Sequence, residues 1–171
     1  MFTSTFAQTY FFSALLILFF GSLGSLCARK HDSFANWWGN LCAIFASLCG
    51  LAASLIVILR DGGFSFALGS SLPLLSYSFR VDALSAFFIF VISLIVLPVS
   101  VYALGYVKHF YGSYSISSLG FFYNIFIAGL FMVVSAHNVL FFLVVWEIMS
   151  LSSYFLVIFM TKLNEKKENG L

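Results

Sequence analysis

Only one carboxyl group in this sequence falls where a carboxyl is costly to place. The six acidic residues are Asp32, Asp61, Asp82, Glu147, Glu165 and Glu168. Five lie between or beyond long apolar runs. Glu147 lies inside one, preceded by Leu143-Val144-Val145-Trp146 and followed by Ile148-Met149. A charged carboxylate in the middle of a membrane helix costs at least about 2.5–3.5 kcal/mol on insertion scales. A group that can pass between its acid and its anion is the minimal part of a proton relay. At helical spacing Ser150 (i+3) and Tyr154 (i+7) share its face and could hold water or hand on a proton. His137, ten residues earlier, is the only cation-capable side chain near it, because no Lys or Arg occurs between Lys108 and Lys162. The bland alternative is a protonated glutamate hydrogen-bonded across a bundle as packing glue. The relay reading is preferred, since a glutamine would serve as glue without the charge. The missing counter-charge must come from elsewhere, which predicts one piece of a larger membrane assembly.

The elements that must position these residues follow from composition. Of 171 residues, 62% are hydrophobic and 8% are charged, against about 25% charged in a soluble domain. This excludes a soluble globular enzyme, a charged disordered tail and an ordinary nucleic-acid binder. Stretches 87–95 and 139–146 do not alternate apolar with polar residues, so helices rather than barrel strands are expected. At about 20 residues per crossing, the predicted fold is an all-α polytopic bundle. Its five spans are 9–28, 38–59, 83–106, 119–136 and 139–160, forming one membrane domain with a tail over 161–171. The stretch 64–77, with Gly69 and Pro73, reads as an extended or re-entrant loop on the outer face.

Smaller features have structural readings. Asp82 is placed to cap the third helix, with Arg80 near enough to pair with it, and Asn138 to cap the fifth. Pro98 should kink the third helix, and Lys108 anchors an inner helix end. Cys27, Cys42 and Cys49 form no CxxC pair and read as small apolar fillers. With the N-terminus outside, the inner segments hold Arg29, Lys30, Lys108, Lys162, Lys166 and Lys167. The outer ones hold Arg60 and Arg80. This bias predicts an outer N-terminus and an inner tail.

The string Val144-Val145-Trp146-Glu147-Ile148-Met149-Ser150-Leu151-Ser152-Ser153-Tyr154-Phe155-Leu156-Val157 resembles the fifth-helix signature of the antiporter-like, proton-conducting membrane subunits of the complex I and membrane-hydrogenase superfamily. Phe79-Arg80-Val81-Asp82-Ala83-Leu84-Ser85-Ala86-Phe87-Phe88 resembles that family's third-helix opening, and Ser135-Ala136-His137-Asn138 its segment before the glutamate helix. The likeness is good from residue 77 onward and rests on hydropathy alone before it. It implies that Glu147 belongs to a proton path and pairs with a lysine on a later helix. Since the family's chains are much longer, it also implies that this chain is the N-terminal portion of a subunit: a fragment, a truncated frame or part of a split subunit. No cofactor is expected in the chain. Iron–sulfur and nickel–iron centres, or flavin, belong to partner subunits. The expected partners are other membrane subunits, a peripheral hydrogenase or dehydrogenase arm, and the bilayer of a prokaryotic cytoplasmic membrane. A sodium/proton antiporter subunit, a structural scaffold and a non-functional truncated fragment are the alternatives.

Overall fold

In lipid, a helix gains little by turning large apolar side chains toward its neighbours, because hydrocarbon surrounds it on every side. Small residues that let backbones approach hold the bundle together instead. The computed structural model, which describes residues 2–29, 31–60, 63–68, 77–112 and 115–168, follows that rule. Its elements are α1 (Phe2–Cys27), α2 (Asp32–Arg60), β1 (Phe64–Leu68), β2 (Tyr77–Val81), α3 (Ala83–Tyr106), one 3-10 turn (Val107–Phe110), α4 (Ile116–Ser135) and α5 (Val139–Glu168). All five α-helices are long and apolar enough to cross a membrane, so the chain is a multi-pass helical membrane protein.

The buried stripe of α2 is Ala35, Gly39, Ala43, Ala46, Gly50, Ala53 and Val57, one small residue every three or four positions. Its large residues, Phe45, Leu48, Leu55 and Leu59, point outward. On α1 the inward stripe is Ala7, Phe11, Ala14, Leu18, Ser22 and Ser25; on α3 it is Ala86, Ile89, Ser93, Val96 and Ser100. Helices α1, α2, α3 and α4 pack around this seam, and α5 lies on α4.

Some helix ends differ from those that hydropathy predicts. The apolar runs suggest starts at 9, 38 and 119, whereas the helices begin at Phe2, Asp32 and Ile116. Hydropathy marks the stretch that suits lipid, but a helix continues as long as its backbone bonds are made. Asp32 lies in the first turn of α2, where a negative charge suits the helix dipole. Helix α5 likewise continues to Glu168, past the expected end at 160.

The bundle carries one addition to its helices. β1, inside the stretch 64–77 predicted as an extended or re-entrant loop, and β2, which runs past the end of that stretch, form an antiparallel hairpin pairing Phe64 with Val81, Phe66 with Phe79 and Leu68 with Tyr77. Gly69 and Pro73, used for the loop reading, lie outside the described residues. The buried rings of Phe64 and Phe79 meet Phe11 of α1, and Phe79 meets Phe141 of α5 with centroids 5.0 Å apart. The hairpin therefore caps one end of the bundle with aromatic edges. Phe79 also forms a β-bridge with Ala136, and the His137 backbone N–H donates to the Ser78 carbonyl at 2.9 Å. The joint between α4 and α5 is thus tied to the hairpin.

Candidate functional site

Helix α5 starts cleanly because Asn138 Oδ1 accepts from the backbone N–H groups of Leu140 (2.9 Å) and Phe141 (3.2 Å). Its rotation about its own axis is then set by α4. Phe141, Val145 and Ser152 are buried, and Met149 is half-buried between them. This is a stripe with the spacing of a packed helix face. Gly129 of α4 is the point of closest approach, for a Cβ there would lie 2.9 Å from the Cβ of Met149. At 100° per residue, Glu147 stands about 200° from both Val145 and Met149. It is turned away from α4 and is exposed, as are Ser150 and Tyr154. The structure therefore gathers Glu147, Ser150 and Tyr154 on one open face of α5. Among the described residues, no hydrogen-bond partner or counter-charge meets the Glu147 carboxyl.

His137 belongs to a different place. It precedes α5, whose first residue, Val139, lies about 12 Å along the axis from Glu147 by helical rise. With Ser65, Ser78, Arg80 and Asp82 it lines a cleft of about 480 Å³ beside the hairpin. Within that cleft Asp82 Oδ1 accepts from the Ser85 N–H at 2.9 Å and caps α3. That hydrogen bond, aided by the Arg80 charge, holds the Asp82 carboxyl below the usual carboxylate range. Pro98 sits inside α3, which continues through it to Tyr106.

Sequence reasoning passed over a second polar group, the buried amides. Asn36 Nδ2 donates to the Leu104 carbonyl (3.2 Å) and to Tyr111 Oη (2.9 Å). Asn40 Nδ2 donates to the backbone carbonyl (2.9 Å) and to Oδ1 (2.8 Å) of Asn36. Asn124 Nδ2 joins α4 to α2 by donating to the Gly39 carbonyl at 3.2 Å, and it also donates to the Gly120 carbonyl at 2.8 Å. Ser100 and Tyr123 share a hydrogen bond of 2.8 Å between α3 and α4. These bonds act as interhelical glue. The available signal was a carboxamide inside an apolar run, with Asn36 and Asn40 one turn apart on the face of Gly39.

Comparison with known proteins agrees with the motifs. Residues 73–115, which include β2, the Asp82 cap and all of α3, match the family model described as NADH-Ubiquinone oxidoreductase (complex I), chain 5 N-terminus. Hydrogenase-4 component B of Escherichia coli (strain K12) is 36% identical over 150 residues, which is 87% of this chain and 21% of that protein. The chain spans about a fifth of the length of this relative. These matches, together with five helices long and apolar enough to span a membrane, support a place for the chain among the antiporter-like membrane subunits of the complex I and membrane-hydrogenase superfamily.

Proposed function

We propose that this chain forms part of a proton-translocating membrane subunit in a hydrogenase- or complex I-like assembly, with Glu147 as the group that carries the proton. One observation supports this above the rest. The only acidic residue in the apolar part of α5 stands on the face that α4 leaves open. A carboxylate presented to hydrocarbon at that depth is too costly to keep, so this face is the one that protein or water must cover. The covering element brings the basic partner, which the resemblance assigns to a lysine on a later helix. Ser150 and Tyr154, on the same face, pass or hold the proton on either side of it. His137, at the far end of α5, is the port on the hairpin side. Redox centres sit in a peripheral arm borne by partner subunits, and the host membrane is the prokaryotic cytoplasmic membrane. The N-terminus faces outward.

The test is Glu147→Gln in the assembled complex, with proton uptake and electron transfer measured separately. The expected result is loss of at least tenfold in proton uptake per electron, with assembly unchanged. Glu147→Asp should recover part of it. Full pumping by the Gln variant would make Glu147 packing glue and the subunit a scaffold.

A further inference from the structure

A cavity of about 450 Å³ lies between α2, α3 and α4 at the end of the bundle where the α1–α2 and α3–α4 connections emerge. Its volume falls in the range of ligand sites, about 300–1,000 Å³. Asn36 and Asn40 of α2, Val99 and Ala103 of α3, Phe110 of the 3-10 turn and Tyr123 of α4 are among its walls, and no lining residue is charged. The buried polar side chains in the wall have their hydrogen bonds inside the protein. Each carboxamide nitrogen spends both its N–H groups inside the protein, and the Tyr123 hydroxyl is paired with Ser100. Apart from the exposed Tyr102 and Tyr106, what remains facing the space is mostly hydrocarbon and ring surface, which favours an apolar occupant over a polar solute.

The rim differs in character. Val107 and Phe110 line the cavity, and between them Lys108 and His109 are exposed. Ala28 packs into the small apolar cluster of Ala35, Val107 and Ile116. The exposed Arg29, and His31 after it, therefore stand beside the same turn. The acidic residue here is Asp32, whose Oδ2 already accepts from the Gly112 N–H at 2.8 Å. An apolar slot inside a membrane protein thus opens beneath two fixed cations and two histidines.

We infer that this cavity holds an acyl chain of an anionic phospholipid from the surrounding bilayer, with its phosphate on Arg29 and Lys108. Basic rims at helix ends recognise anionic headgroups, with about 1 kcal/mol for each Lys or Arg. That corresponds to about fivefold in affinity per cation.

The full chain in phosphatidylcholine vesicles, doped with phosphatidylglycerol carrying a diazirine on one acyl chain, provides the test. Irradiation should place cross-links on the cavity segments 36–40 and 99–123, several-fold above the outward faces of the helices. Phosphatidylcholine with the same chain should label them more weakly. Ala103→Trp fills the slot and should remove this labelling. The exposed pair Arg29→Gln and Lys108→Gln leaves the core untouched and should lower the preference for phosphatidylglycerol by about fivefold per substitution. Labelling spread evenly around the helices, or equal labelling by the two lipids in the unaltered chain, would overturn the inference. If Ala103→Trp fails to fold, the charge pair decides the matter alone.

Discussion

Single side chains do two separable jobs in this protein, and Asp82 performs the one that is purely structural. Its carboxylate satisfies the Ser85 N–H at the start of α3, so Asp82→Ala should cost about 0.5–2 kcal/mol. The folded-state pKa is lowered, so the charged form is favoured in the fold. The cap's contribution is therefore complete above the ordinary carboxylate pKa and is lost as pH falls through the lower folded value. Thermal unfolding in detergent should show the normal chain losing stability in acid relative to the alanine variant, with the two curves converging at low pH. The position of Glu147, Ser150 and Tyr154 on one face was legible in the sequence, because helical periodicity alone fixes it. What covers that face was not, since a helical pattern says which residues share a side and nothing about which neighbour lies there. The amides of Asn36, Asn40 and Asn124 escaped notice for another reason. They carry no charge, and an uncharged donor in an apolar run has weak signal until the carbonyl it reaches across the bundle is known.

Elements are held in place by close approach and by the hairpin. Gly129 sets how near α5 lies to α4, and no side chain fits there without displacing the backbone at Met149. Gly129→Ala should destabilise the α4–α5 pair by about 1–3 kcal/mol, the usual cost of overpacking. Met149→Gly in the same chain should recover part of the loss despite its own helix penalty of about 1 kcal/mol. A double-mutant cycle on thermal unfolding measures that coupling; strict additivity would place the contact elsewhere. The helices were readable from hydropathy because a span has to be long and apolar. Only the first strand was read as extended chain, since most of the second, Phe79 to Val81, and Asp82 after it look in sequence like a run-up to α3. The hairpin's identity depends on Phe79 and Val81 finding Phe66 and Phe64 across a connection, a pairing that no local pattern encodes.

At the scale of the whole molecule, orientation follows from where the cations lie. Six of the eight basic residues fall on one side of the five-span arrangement, and the N-terminus is expected on the other. Exposed Ser65 of the hairpin and exposed Ser115 at the start of α4 lie at opposite ends of the bundle. With Cys27, Cys42 and Cys49 replaced by serine or alanine, a membrane-impermeant maleimide added to intact cells should label Ser65→Cys and spare Ser115→Cys. The reverse result would invert the topology and move the His137 cleft to the inner surface.

The seam of alanine, glycine and serine along α2 sets how this sequence can drift. In a water-soluble protein the interior tolerates exchange among bulky aliphatics and the surface accepts polar residues. Here the polarity of permission is turned round: the periphery can trade Phe, Leu and Ile freely, while one added methyl group at Gly39 or Gly50 meets a serine on another helix. Lineages that keep this architecture should therefore record its history on the outside and hold its interior nearly still.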